Sequence, residues 1–299
     1  MRRHPSRTSS NRQSVARDRR VGSRVQAQQA ARRRSRLIVG GVVVVAIALA
    51  LVIALVAGRD STSSSSGPTL PMNAAEIVQR VTSIPAATLD AAGAGSVDGT
   101  KVRKISGAPL TSGGKPEVLY IGAEYCPFCA AQRWGMVIAL SRFGTFSKLG
   151  LSYSSSTDVH ANTPTFTFHG STYTSDYVTF TAVETSTRTP DGKGGYSALE
   201  TLTPDQERIM ASLDPQGSIP FLDLGGKYAL LSSLSEPDLI SGETHGYVLN
   251  GLSNPASTIG RSVLGAANLI TATICSLTNQ QPASVCTSAG VIAAAEQLA

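Results

Sequence analysis

Two cysteines set three apart, Cys126-Pro127-Phe128-Cys129, are the residues of this chain best placed to do chemistry. An apolar, β-prone run from Val118 to Ile121 ends at Gly122, and a helical pattern runs from Ala130 to Phe143. Strand, short loop, Cys-x-x-Cys and helix in that order are the arrangement of a thiol–disulfide centre. The first cysteine falls at a helix N-terminus, where unpaired N–H groups and the macrodipole favour an anion, so a thiolate is stabilised at Cys126. Cys129 is near enough along the chain to close a disulfide with it. Pro127 suits the first helical turn, because the N–H it lacks would have no partner there.

The same pair admits two other readings, a static disulfide and half of a zinc site. A zinc site would show a second Cys/His pair at matching spacing. Cys275 and Cys286, with ten residues between them, do not match it, and His160, His169 and His245 show no spacing for joint ligation. No metal is therefore expected; copper held by the two thiols and one of these histidines is the metal reading left. Glu124 reads as a solvated loop residue, with an acid–base role beside the thiol as the alternative. Trp134 reads as core. The polar loop between Cys275 and Cys286 is long enough to bring their Cα atoms within the roughly 4.4–6.8 Å that a disulfide needs. Nothing basic lies near either to lower its pKa, so a structural disulfide is expected. A shuttle pair passing electrons to Cys126 is the alternative. No nucleotide or flavin motif is present, so no cofactor is expected and electrons must come from a protein partner.

The elements around this centre follow from local pattern. Asn73 to Val81 predicts a short helix with Asn73 as N-cap, and Lys101 to Ile105 a strand. Gly113-Gly114-Lys115-Pro116 is a turn into the central strand. Leu149 to Ser155 predicts a second core strand, and Thr165–Phe168 with Tyr177–Val183 a hairpin or two short strands. Asp191 to Gly195 is a loop. Thr203-Pro204-Asp205-Gln206 starts a helix that runs to about Leu213. In Gly217 to Leu231 a proline precedes a strand, a Gly225-Gly226 turn and a return strand. Pro255 to Ile274 and Ser288 to Leu298 are helical.

Charge divides the chain. Residues 1–59 carry 13 Arg against Asp18, +12, and the remainder 13 Lys+Arg against 19 acidic residues, −6, so the overall +6 describes the tail alone. Leu37 to Ala57 holds 21 residues without a charge, Asn, Gln or Pro, about 30 Å of helix and the thickness of a bilayer core. The run exceeds the h-region of a signal peptide, about 7–15 residues. Twelve arginines precede it, which places the N-terminus in the cytoplasm and the rest outside the cell membrane as a single-pass protein. That side permits stable disulfides. Residues 1–36 read as a disordered Arg-rich cytoplasmic tail that sets topology and meets anionic lipid. A nucleic-acid-binding arm lacks support, since no aromatic residue is interleaved for stacking. Residues 37–57 read as the transmembrane helix, 58–71 as a flexible linker and 72–299 as the extracytoplasmic domain.

Ala123-Glu-Tyr-Cys-Pro-Phe-Cys129, and Ser218-Ile-Pro220 followed by a hairpin, resemble the thioredoxin superfamily. The resemblance implies an α/β fold with a central mixed sheet and flanking helices. It also implies a cis Pro220 lying against the cysteines, Ile219 offering backbone hydrogen bonds to a peptide, and Tyr125, Pro127 and Phe128 lining the substrate site. More closely, Tyr120-Ile-Gly-Ala-Glu-Tyr-Cys-Pro-Phe-Cys-Ala-Ala-Gln-Arg-Trp134, Ser141-Arg-Phe-Gly144 and the late cysteines resemble the family called domain of unknown function 929, over roughly residues 72–290. Where thioredoxin carries a buried Asp six residues before its first cysteine, this chain has Tyr120. The expected activity is thiol–disulfide exchange on exported protein thiols, with Cys126 attacking and Cys129 resolving. A membrane or extracytoplasmic protein would serve as redox partner. The competing class is a non-catalytic thioredoxin-like binding module with a static Cys126–Cys129.

Overall fold

The computed structural model describes residues 72–298. The tail, the apolar segment Leu37–Ala57 and the linker lie outside the described residues. Among the described residues no helix is long and apolar enough to cross a membrane.

The centre is β3 (Lys115–Gly122). Its alternate residues build two different cores, because successive side chains of a strand point to opposite faces. Val118 and Tyr120 enter the main apolar cluster, whereas Leu119 and Ile121 join Phe221 and Met210 on the other face. On one edge β3 pairs antiparallel with β11 (Phe221–Leu224), which pairs with β12 (Tyr228–Leu230), and β12 with β1 (Val102–Lys104). On the other it pairs in parallel with β8 (Thr179–Glu184). The short β2 (Thr111–Ser112) folds back on Lys115 and Pro116 through Gly113 and Gly114. Both glycines have positive φ (57° and 77°), as a tight hairpin of this kind demands. The result is an α/β fold with a mixed six-stranded sheet and flanking helices.

Helices cover the main face. α1 (Ala74–Thr82) is capped by Asn73, whose side chain accepts from the Glu76 N–H at 2.9 Å. A second short helix, α2 (Ala86–Ala92), follows it. α3 (Pro127–Ser141) is buried over 13 of its residues, including Trp134, and packs against a later helix so closely that a Cβ on Gly135 would stand 3.1 Å from the Ala266 Cβ. The opposite face is covered by α4 (Pro204–Leu213), which begins with the reciprocal Thr203–Gln206 capping box.

After β12 come α5 (His245–Leu252), α6 (Thr258–Leu277), α7 (Ala283–Cys286) and α8 (Ala289–Ala295). Asn268 of α6 ties this group to the N-terminal helices by donating to the carbonyls of Leu89 and Gly93 (2.7 and 2.8 Å).

One expectation is corrected. Leu149–Ser155 is not a core strand: β5 (Gly150–Tyr153) pairs only with β6 (Pro164–Thr167), in a sheet of its own. Its serines give it too little apolar surface for a central position, where both faces are covered. Of the two alternatives for Thr165–Phe168 and Tyr177–Val183, two short strands form rather than a hairpin: the first falls largely in β6 and the second in β8, the parallel neighbour of β3. Asp191–Gly195 is the expected loop, at the tip of a hairpin of β9 (Ser186–Pro190) with β10 (Tyr196–Ala198). Residues 144–175, which also contain β4 (Gly144–Ser147) paired with β7 (Thr172–Ser175), are thus an insertion between α3 and β8.

Candidate functional site

Cys126 is the N-cap of α3. Its backbone is extended and its Sγ accepts from the Cys129 N–H at 3.3 Å, the place a serine or aspartate oxygen holds in an ordinary cap. Pro127 occupies the first helical turn. The sulfur also lies 4.0 Å from the Ile219 carbonyl oxygen. The Ile219–Pro220 peptide is cis, and Ile219 packs against the small apolar cluster of Ala123, Cys126 and Cys129. Neither the N–H nor the C=O of Ile219 has a backbone partner among the described residues. Asp214 holds the preceding loop by accepting from the N–H groups of Gln216 and Ser218 (3.2 and 2.6 Å).

The two thiols differ. Cys126 is 5% exposed and Cys129 fully buried, and they are not bonded to each other. The Cys126 thiol is held below its ordinary value, first by its hydrogen bond with Cys129; burial opposes this, and the Cys129 N–H and the Arg133 charge add to it. Burial pushes Cys129 well up, and its neighbour Cys126 adds to the shift. The outer sulfur therefore loses its proton more readily than the inner one.

The cysteine loop is clamped from both sides. Glu124 N–H donates to Ser186 O (2.9 Å), Ser155 N–H to Tyr125 O (2.9 Å) and Thr185 N–H to Gly122 O (2.8 Å). Tyr125 stacks on Tyr196 of β10, centroids 4.0 Å apart. Phe128 is 37% exposed and meets His160 edge-on at 5.8 Å. Gly122 is required at the strand end, since a Cβ there would lie 2.0 Å from the Tyr120 hydroxyl.

Every residue expected around the dithiol is thus gathered there: Tyr125, Pro127, Phe128, Ile219 and Pro220 with Cys126 and Cys129. Glu124 departs from expectation. It is buried rather than solvated; Ser152 Oγ–H donates to its Oε2 (2.9 Å), and its Oε1 has no partner among the described residues. Trp134 is core, as expected: its Nε1–H donates to Pro164 O (2.8 Å) and its ring meets Phe166 at 4.7 Å. Sequence reasoning gave no role to Arg133 and Glu184, both fully buried and joined by two hydrogen bonds of 2.9 and 2.6 Å. The available signal was a lone arginine four residues after Cys129 in an otherwise buried helix. Among the described residues no cluster of three or more His, Cys, Asp or Glu could hold a metal ion.

Cys275 and Cys286 are bonded, with Cα atoms 5.6 Å apart. They belong to the main apolar cluster, not to the one around Cys126.

Residues 101–193 match the family model described as "Domain of unknown function (DUF929)". The match spans β3, the cysteine loop, α3, the insertion and β8. It is narrower than the stretch over which the sequence motifs suggest the likeness, and it leaves out Pro220 and the disulfide. Neither a curated protein nor a solved structure matches the chain.

Proposed function

We propose that residues 72–299 form a thioredoxin-like thiol–disulfide oxidoreductase, tethered by a Leu37–Ala57 membrane helix and facing the extracytoplasmic side. The observation that carries the reading is the asymmetry of the dithiol. An outer thiol with lowered pKa caps a helix beside a cis-proline loop, and an inner thiol with raised pKa lies one turn behind it.

The outer thiolate is the nucleophile. In the reducing direction Cys126 attacks one sulfur of a client disulfide. A Cys126–client bond forms, the client S–S bond breaks, and the first client thiolate leaves and takes up a proton. Cys129 then loses its proton and attacks Cys126 Sγ, and the second client thiolate departs protonated. The client gains two electrons and the Cys126–Cys129 disulfide forms. The oxidising direction is the reverse. A dithiol protein on the same side of the membrane resets the pair after the reducing direction, and a disulfide-bearing protein resets it after the oxidising one. The Ile219 backbone groups, which have no backbone partner among the described residues, line the approach for an extended client segment together with Tyr125 and the exposed Phe128.

The competing reading is a non-catalytic binding module, and the complete burial of Cys129 favours it. One experiment separates the two. In the full-length reduced chain Cys126 should be alkylated faster than Cys129 at neutral pH, and Cys129→Ser should accumulate mixed disulfides with client proteins. Equal slow alkylation and no adducts would leave the binding module.

A further inference from the structure

Behind the dithiol, the Arg133–Glu184 pair is sealed from solvent. A buried ion pair adds little stability, because desolvation offsets the attraction, and apolar replacements are often neutral or better. Its position is the informative feature. Arg133 is four residues after Cys129 on α3, so the two share a helix face. Helical side chains lean toward the N-terminus, which carries the guanidinium back toward the cysteines. Its Nη2–H accordingly donates to Ala123 O (2.9 Å), and Ala123 packs against both cysteines. The remaining nitrogen, Nη1, is buried and has no hydrogen-bond partner among the described residues.

The surrounding groups are fixed too. Glu184, on β8, accepts from Arg133 with both oxygens, and its own N–H donates to Glu200 Oε2 at 2.7 Å. The Tyr120 ring of β3 lies 5.8 Å from Arg133 Cζ, and its hydroxyl has no partner. The charge of Glu124, in the cysteine loop, also acts on Arg133.

Building on the oxidoreductase reading, we propose that Arg133 and Glu184 are positioning residues of opposite sign that set how readily the Cys126–Cys129 pair ionises and is reduced. The Arg133 guanidinium stabilises the thiolate form, and Glu184 fixes the guanidinium in place while partly cancelling its field. Burial by itself would lower the Arg133 pKa, but the charges of Glu184 and Glu124 oppose it and help keep the guanidinium charged. A more stable thiolate makes the reduced form more stable and the disulfide the stronger oxidant.

The sign of the effect is the test. A unit charge within about 10 Å at an effective dielectric constant of about 20 moves an equilibrium by roughly tenfold. Three variants are made in the full-length chain: Arg133→Gln, Glu184→Gln and the apolar double Arg133→Met/Glu184→Leu. The Cys126 pKa is read from the pH dependence of its alkylation by iodoacetamide, with Cys126- and Cys129-containing peptides separated by mass. The dithiol is also equilibrated with glutathione buffers. Glu184→Gln should lower the Cys126 pKa and shift the glutathione equilibrium about tenfold, near 30 mV for this two-electron couple, toward the dithiol. Arg133→Gln should shift both in the opposite direction by a larger factor, because Glu184 cancels only part of the guanidinium's field. Arg133→Lys keeps the charge and should restore most of the loss.

A purely structural pair predicts same-direction changes, or none, in the two single variants, and no rescue by lysine. Either result overturns the proposal. Where a single variant does not fold, the double variant decides: it should raise the Cys126 pKa, and an unchanged value refutes the inference. These readouts need no client. Shifts as expected without mixed disulfides in Cys129→Ser would therefore sink the oxidoreductase reading and leave this inference standing. Trapped clients with unmoved titrations would do the reverse.

Discussion

Removing the Cys275–Cys286 bond by Cys275→Ala with Cys286→Ala tests whether the second cysteine pair is a staple or a relay. The bond closes a sequence separation of 11 between the end of α6 and the end of α7. In the chain-entropy treatment a loop of this size restricts the unfolded chain by an amount worth about 3 kcal/mol. The folded loop does not depend on the sulfurs alone. Gln280 N–H donates to Cys275 O (2.8 Å), Thr278 Oγ1–H to Gln281 O (2.5 Å) and Cys286 N–H to Pro282 O (3.1 Å). Asn279 and Gln280 nevertheless sit at φ of 53° and 61°, left-handed positions that non-glycine residues occupy at a cost and that the closed ring helps to enforce. For a domain of 150–250 residues each kcal/mol is worth about 2–4 °C, so the melting temperature should fall by about 6–12 °C. The assay is a thermal melt of the two proteins side by side, together with the rate of Cys126 alkylation. A fall of less than about 2 °C would refute the loop-entropy reasoning. A normal melt with loss of exchange by the physiological reductant or oxidant would show that the pair is a shuttle.

Two further outcomes follow from single side chains. Thr203→Ala removes one half of the α4 capping box and should destabilise the domain by about 1 kcal/mol, seen as a lower denaturant midpoint with unchanged slope. His245 is buried, its Nε2 2.7 Å from Thr165 O, and burial holds its pKa below the ordinary value. A depressed folded pKa means that the unfolded chain binds the extra proton first. Its contribution is therefore complete above about pH 6.5 and is lost as pH falls toward the folded value. His245→Gln should flatten that part of the stability–pH curve, measured by denaturant midpoints at stepped pH, and an unchanged slope would contradict the assignment.

What was legible in the sequence was local. The cysteine turn, the Asn73 and Thr203 caps, the strand before Gly122 and the Phe221–Leu230 hairpin all depend on residues within a few positions of each other, and each formed where the pattern put it. What was not legible depends on distant partners. β8 looks like half of a hairpin until its parallel register with β3, Val118 against Phe180, is known. Glu124 looks solvated because its loop is polar. It is buried because the insertion strand β5 lays Ser152 over it. Arg133 and Glu184 are 51 residues apart, and neither pattern nor propensity pairs them. The cis peptide at Pro220 was expected from resemblance rather than from any property of the segment itself.

The two cysteine pairs, one bonded and one free, differ in where the fold places them. Both pairs are buried, and burial of a thiol in apolar surroundings disfavours its ionised form. Cys275 and Cys286 have nothing to counter that. They lie at the C-terminal ends of α6 and α7, where the macrodipole disfavours an anion. Their thiolates are costly, their reduced form gains nothing, and the bond stays closed. Cys126 meets the opposite field: a helix N-terminus, the Cys129 N–H at 3.3 Å and the Arg133 charge behind it. Stabilising that thiolate weakens the Cys126–Cys129 disulfide by the same free energy, because the reduced form is its product. Cys129 tempers the effect, since its proton is held tightly until the outer sulfur is engaged in a bond and its negative charge is gone. The same rule, that thiolate stability sets disulfide stability, makes one pair a fastener and, on the proposed reading, the other an exchanger.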